Sequence, residues 1–249
     1  MGRGRRPVSG TGGDGSDRRT GAAAEGTEAP MRCERERRAV VDAARTLVAE
    51  GLVVGTAGNV SLRAGDGEDA LVAVTPSGLD YAAMTPDLIG LHRPDGTAVD
   101  APLAPTSEMG MHLEVYARTA ARAVVHTHSP SAAALSVLVE EVPPIHYYLA
   151  LFGGRVPVVG YAPYGSAELA EAAAGALEGA GGCLLGNHGA VTVGADLGQA
   201  LERARHLEWL CEVSLRVLGA GRPYRALSAE EMAEVGARIG GYGQRPPER

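Results

Sequence analysis

Between residues 34 and 51 the apolar positions Val40, Ala43, Ala44, Leu47 and Val48 recur at the spacing of one helical face, and Gly51 suits the end of that helix. A Gly-rich stretch, Gly55-Thr56-Ala57-Gly58-Asn59-Val60-Ser61-Leu62, then enters a short strand. Leu71-Val72-Ala73-Val74 reads as a second strand, ended by Thr75-Pro76-Ser77-Gly78. Thr85-Pro86-Asp87-Leu88 has the form of an N-cap with proline at the first helical position, and Pro105-Thr106-Ser107-Glu108 leads into a helix through Leu113 and Tyr116. Ala123-Val124-Val125 predicts a strand running into His126-Thr127-His128, followed by an Ala-rich helix from about Ser129. Further strands are predicted at 156–159, 183–185 and 190–193, with a Ser166-capped helix between them. A long helix over 196–218 buries Ala200, Ala204, Leu207, Cys211, Leu215 and Leu218. Ser228-Ala229-Glu230-Glu231 opens a last helix as a capping box. No internal repeat is visible. Because strands and helices do not alternate regularly, the expected architecture is α/β with a mixed or antiparallel sheet flanked by helices, not a doubly wound one.

Residues 1–30 contain almost nothing to bury, so they cannot offset the entropy of ordering and are expected to be a disordered tail. Met31 opens the first periodic sequence, which makes it an alternative start of translation and leaves 31–249 as one domain. The 249-residue chain has a net charge of -7; five Arg against four acidic residues give the tail +1, so the domain carries -8. That balance argues against a nucleic-acid partner. No apolar run is long enough for a membrane span, and no hydrophobic core of a signal peptide follows Arg5-Arg6. Cys33, Cys183 and Cys211 have neither metal-like nor redox-like spacing and are expected to be reduced thiols in a cytoplasmic protein.

His126 and His128 change the picture most. Side chains at i and i+2 of a strand leave on one face, so both imidazoles point at one place, as two metal ligands on a rigid element would. All 23 basic residues are arginine, so a protein Schiff base is excluded. Carbonyl chemistry would have to proceed by a metal or by hydrogen bonds. Catalytic zinc sites use three protein ligands and an open position; His188, in the turn Gly186-Asn187-His188-Gly189, is the third candidate. Glu108 is either a base or an ordinary acidic residue at a helix start. Gly58-Asn59, Ser77-Gly78 and Thr106-Ser107 are either turns or phosphate cradles. His92, beside Pro94-Asp95-Gly96, is expected in an exposed turn, His112 and His206 are expected to be structural, and His146 is open.

Taken together, Gly55-Thr56-Ala57-Gly58-Asn59-Val60-Ser61, Thr75-Pro76-Ser77-Gly78, Pro105-Thr106-Ser107-Glu108, Val124-Val125-His126-Thr127-His128, Ile145-His146-Tyr147 and Leu185-Gly186-Asn187-His188-Gly189 resemble the class II aldolase/adducin family in order and spacing, over about residues 34–245. The likeness is greatest to its branch acting on L-fuculose 1-phosphate. It implies an α/β/α sandwich with a mainly antiparallel central sheet, and a homotetramer with sites at subunit interfaces. His126, His128 and His188 fall on the zinc ligands, and Glu108 on the acid/base carboxylate that can also bind the metal. Gly58, Asn59, Ser77, Gly78, Thr106 and Ser107 fall on substrate- and phosphate-binding positions. Tyr147 matches a catalytic tyrosine reaching across an interface, and Tyr242 a tail residue that closes over the site. Ile239 replaces an aromatic residue of that branch, and the 162–166 loop is shorter; both departures concern the aldehyde end.

The implied activity is a zinc-dependent aldolase of carbohydrate metabolism, pentose catabolism included. It would reversibly cleave a ketose 1-phosphate to dihydroxyacetone phosphate and an aldehyde such as L-lactaldehyde. Mn2+ or Co2+ would also suit three histidines. Within the family, L-ribulose-5-phosphate 4-epimerase is the nearest alternative, though such enzymes carry Asp at the position of Glu108. A methylthioribulose-1-phosphate dehydratase or a sugar-acid decarboxylase is a further one. An adducin-like interaction module is the non-enzymatic alternative; such modules lack the histidine triad that this chain keeps.

Overall fold

A computed structural model describes residues 31–239, so the tail over 1–30 and Tyr242 lie outside the described residues. Its elements are α1 (Glu34–Ala49), β1 (Asn59–Ala64), β2 (Leu71–Val74), β3 (Gly90–His92), β4 (Ala98–Asp100), α2 (Met109–Arg118), β5 (Ala123–Thr127), α3 (Pro130–Leu135), β6 (Val158–Val159), α4 (Ala167–Leu177), β7 (Gly182–Leu185), β8 (Gly189–Gly194), α5 (Leu197–Gly219) and α6 (Ala229–Ile239). The eight strands form one sheet in the order β4-β3-β2-β1-β5-β8-β7-β6. Only β6 and β7 pair in parallel. The architecture is therefore the mixed, mainly antiparallel α/β arrangement expected. No helix among the described residues is long and apolar enough to cross a membrane.

Both faces of the sheet are covered, which is why β5 reads as an unbroken apolar run instead of an alternation. Ala123 and Val125 pack with Val60, Ala73 and Leu91 under α1 and α5. Val124 faces the other way, with Val72, Val74, Val191 and Val193, under α2 and α4. A third cluster joins α3, α5, α6 and the 3₁₀ turn Tyr147–Phe152 around Leu184 and Ala190. Fully burying a Val or Leu side chain contributes about 1.5–3 kcal/mol, so Val40, Val41 and Leu47 make the inner face of α1 its chief source of stability.

Local signals cap three of the six α-helices named. Ser166 accepts from the Leu169 amide at 3.1 Å, and Asp196 from the Gln199 amide at 2.8 Å. The Ser228–Glu231 capping box is complete: the Glu231 amide donates to the serine hydroxyl at 3.1 Å and the Ser228 amide to the carboxylate at 2.9 Å. Thr85 departs from expectation, because Pro86–Leu88 is a single 3₁₀ turn with no side-chain cap. Val48 lies on the exposed side of α1. His92 is corrected more substantially. It is buried in β3, its Nδ1–H donating to the Gly96 carbonyl, because Arg93–Thr97 forms a hairpin that folds β4 back onto β3. Arg37 was not anticipated either. Its guanidinium is buried at the end of the sheet, donating to the Ile89 carbonyl at 2.6 Å and to the Asp100 carboxylate, and so tying α1 to β3 and β4.

Gly189 begins β8 against β5. A Cβ there would sit 2.1 Å from the Thr127 carbonyl oxygen, so the two strands can meet only because this residue has no side chain. Gly189→Ala is expected to cost about 2–3 kcal/mol, as overpacking in a close-packed core does. Urea unfolding of the two proteins checks this; an unchanged midpoint would show that β5 and β8 can part freely.

Candidate functional site

The central strands bring the site together by register. Asn59 of β1 and His126 of β5 are direct cross-strand partners, and His126 lies opposite Val191 of β8 on its other side. His126 shares a face with Val124, the face covered by α2, which carries its imidazole to Glu108 at the start of α2. His128 follows the end of β5, its amide donating to the Leu52 carbonyl at 3.1 Å. His188 lies in the tight turn from β7 to β8, closed by its amide donating to the Leu185 carbonyl. Asn187 in that turn takes φ +57°, a left-handed conformation that Asn tolerates. Its amide donates to Ser136 of α3's C-terminal end.

Three imidazoles thus converge. The Nε2 atoms of His126 and His128 are 2.9 Å apart, and those of His128 and His188 3.2 Å. Nitrogens about 2.0–2.1 Å from a common tetrahedral ion stand roughly 3.3 Å apart, so both of these separations are already close to that spacing. His126 Nδ1 faces the Ala190 carbonyl at 3.0 Å. A carbonyl only accepts, so Nδ1 carries a proton and Nε2 is the atom turned toward Glu108 and the centre of the cluster, the usual outer-shell support of a metal-binding histidine. Glu108 Oε2 lies 3.0 Å from His126 Nε2 and Oε1 3.7 Å from His188 Nε2. The four groups are one possible metal-binding set. Among the described residues Glu108 Oε1 is buried without a hydrogen-bond partner, an orphan that a bound cation or substrate proton would satisfy.

The electrostatics suit cation binding. Burial, then the charges of His126 and His188, push His128 down to about 4. Burial lowers His188 as well. Both rings therefore stay neutral near pH 7, as metal ligands must. Burial pushes the Glu108 carboxyl up, but the hydrogen bond and charge of His126, the Asn59 amide and His188 together outweigh it and hold Glu108 ionised. Glu108 is the residue before α2, yet its side chain makes no capping bond. The carboxylate is turned inward, where Asn59 Nδ2–H donates to Oε2 at 3.0 Å. The ordinary helix-start reading of Glu108 therefore does not hold.

Glu108, His128 and His188 line a cleft of about 360 Å³. Gly58, Asn59, Ser77, Gly78, Thr106 and Ser107 line it too, so the three small-polar loops are gathered at one place. The Asn59 carboxamide is engaged by Glu108 and His112. Gly58 has φ +82°, and a Cβ there would meet the His126 carbonyl oxygen at 2.8 Å. Tyr81, which the sequence did not single out, is buried beneath this loop and donates to the Gly58 carbonyl at 2.6 Å. Tyr161 and Tyr164 add exposed aromatic rings at the cleft. Tyr147 is not brought to the cleft of its own chain. It is exposed on the 3₁₀ turn, stacked on His146, and shares a separate cavity with Tyr148, His206 and Ile239.

The sequence model for the class II aldolase and adducin N-terminal domain matches residues 38–215. Over 209 residues the chain is 39% identical to a 5-methylthioribulose-1-phosphate/5-deoxyribulose-1-phosphate aldolase of Rhodospirillum rubrum, covering 83% of this chain and 92% of that one. It is 38% identical over 208 residues to an L-fuculose phosphate aldolase of Haemophilus influenzae, covering 83% and 94%. A solved L-fuculose 1-phosphate aldolase superposes with a TM-score of 0.79 at 33% identity, over 84% of this chain and 98% of that one.

His112, beside this site, gives a pH prediction. Burial first, then the His126 charge, pushes it down to about 3 from the ordinary 6.5. Between those values the unfolded chain binds the proton that the folded chain refuses. Stability is therefore fully present above about 6.5 and is lost as pH falls toward 3, by up to about 1.4 kcal/mol per unit for this group. Denaturation of metal-stripped protein between pH 4 and 7 should show a shallower acid loss in His112→Gln than in the natural chain; parallel curves would contradict the assignment.

Proposed function

Because the chain belongs to the class II aldolase and adducin family, we propose that it cleaves a ketose 1-phosphate reversibly into dihydroxyacetone phosphate and a short aldehyde. The observation that carries this reading is the convergence of His126, His128, His188 and Glu108 at one end of a cleft rimmed by small polar loops. Zinc is the proposed cation, since three imidazoles and a carboxylate match its preferred ligands. When bound, it supplies Lewis acidity toward the carbonyl and hydroxyl oxygens of the ketose.

The protein's own groups do the rest. Glu108 moves the proton at the dihydroxyacetone-phosphate carbon, using the oxygen that has no other partner. Among the described residues no arginine lines the cleft, so the phosphate is held by hydroxyls and backbone N–H groups of Ser77, Gly78, Thr106 and Ser107. Binding this unreacting end orients the bond that breaks. Tyr147 protonates the aldehyde oxygen in the synthetic direction from a neighbouring copy in a homotetramer. Its exposure, and its place in a cavity other than its own chain's cleft, support that reading. Tyr242 is proposed to close over the site.

The substrate is proposed to be a deoxy sugar, L-fuculose 1-phosphate or a 5-deoxy or 5-methylthio pentulose 1-phosphate. Relatives of nearly equal identity are named for both groups. Cleavage between C3 and C4 releases lactaldehyde from the first and acetaldehyde, or its methylthio analogue, from the second. Each of these aldehydes ends in an apolar group. A sugar-phosphate enzyme of this kind fits the cytoplasm.

Incubation with each 1-phosphate and with L-ribulose 5-phosphate, scored for dihydroxyacetone phosphate, tests the reaction. Release from at least one 1-phosphate is expected; interconversion of the 5-phosphate without release would make the protein an epimerase, and water loss without release a dehydratase. Glu108→Gln should keep its metal and lose about 10²–10⁴-fold in turnover. Glu108→Gln and Tyr147→Phe subunits, each inactive alone, should regain about a quarter of natural activity when refolded together, because a head-to-tail interface builds each site from two copies. No recovery would place Tyr147 outside the shared site.

A further inference from the structure

Behind Glu108 lies a buried row of polar side chains that the proposed chemistry does not use. Asn59, Ser61, His112 and Tyr116 are each no more than 5% exposed. Asn59 Nδ2 is 3.0 Å from Glu108 Oε2, and Asn59 Oδ1 contacts His112 Nε2. His112 Nδ1 is 2.6 Å from Ser61 Oγ, and Ser61 Oγ is 2.7 Å from Tyr116 Oη. The side chains come from two elements: Asn59 and Ser61 from one face of β1, His112 and Tyr116 from one face of α2, and Glu108 from the residue just before α2.

The direction of every bond follows from the first. An ionised carboxylate only accepts, so Asn59 must turn its amino group to Glu108 and its carbonyl to His112. His112 must then carry its proton on Nε2. Its Nδ1 is left as an acceptor, so Ser61 donates to it, and Tyr116 donates to Ser61. The opposite arrangement would set the Asn59 carbonyl against the carboxylate. In so buried a place an unmade or repulsive contact is costly, so the row has one sense while Glu108 is charged.

We propose that His112 is a positioning residue for the base: through Asn59 it anchors Glu108 Oε2 and leaves Oε1 bare at the reacting centre, with Ser61 and Tyr116 fixing the His112 tautomer. This rests on the aldolase reading for the role of Glu108, but the tautomer does not depend on any reaction. Because anchoring acts on the proton transfer and not on the phosphate loops, its loss belongs in kcat.

Two measurements on full-length, metal-loaded protein test it. Nitrogen-15 spectra of histidine-labelled protein should show His112 as the neutral Nε2–H tautomer, and Ser61→Ala and Tyr116→Phe should weaken that preference. A neutral Nδ1–H tautomer in the natural protein would overturn the proposal, whatever the substrate proves to be. In the aldolase assay, His112→Leu should lower kcat about 10- to 100-fold, the usual effect of losing an outer-shell partner, with KM within about threefold and metal content unchanged. His112→Gln, which offers a donor and an acceptor in similar places, should recover most of kcat. Equal losses in Gln and Leu variants of equal thermal stability would reduce His112 to packing. A rise in KM with kcat intact would place its influence on substrate binding; either result overturns the proposal. Failure of the natural protein to cleave any ketose 1-phosphate would instead overturn the aldolase reading and leave the tautomer result standing.

Discussion

One strand register underlies the site. β5 lies between β1 and β8, and its pairing sets His126 beside Asn59 on one side and Val191 on the other. The same pairing gives His126 Nδ1 the Ala190 carbonyl as a partner. A slip of one residue would send His126 to the face under α1 and α5 and carry Val125 to Glu108. The apolar contacts that prevent the slip, Val125 under α1 and Val124 under α2, are therefore also what positions the imidazole. Gly58 and Gly189 let flanking backbone approach within a distance no side chain would allow. Fold stability and site geometry are the same set of contacts.

The second constraint is a buried negative charge. Glu108 is almost wholly withdrawn from water, which alone would raise its pKa and neutralise it. Asn59 and the histidines reverse that outcome. The carboxylate in turn orders what surrounds it, since a group that only accepts dictates where its neighbours place their protons. His112 behind it stays neutral through burial, and His128 and His188 beside it likewise. The site thus sets the neutral rings of His128 and His188 beside one fixed anion. That combination suits a divalent cation.

Most of this was legible in the sequence where chemistry and local pattern coincide. His126 and His128 sit on a strand whose period puts both on one face. His188 sits in a turn whose neighbouring glycines announce close backbone approach, and Ser166, Asp196 and the Ser228–Glu231 box announce helix starts. What stayed hidden depends on long-range packing. β3 and β4 are three residues each, too short for a period, and His92 therefore passed for part of an exposed turn. Arg37 reads as one more charge on a charged helix until β3 and β4 close over it. Glu108 shows the limit most clearly: its position before a helix suggests capping, whereas the pull of Asn59 and His126, distant in sequence, turns the side chain inward. His112, Ser61 and Tyr81 give no signal of their own, because a helical histidine, a strand serine and a loop tyrosine are ordinary until their partners are known.

The central claim is that His126, His128 and His188 hold one divalent cation beside Glu108. Elemental analysis of purified full-length protein, dialysed against zinc and then against metal-free buffer, tests it most directly. The account predicts about one zinc per chain, as for a mononuclear site, falling to background in the protein carrying His126→Ala, His128→Ala and His188→Ala together. A natural protein that retains no metal, or a triple variant that retains it undiminished, would contradict the account.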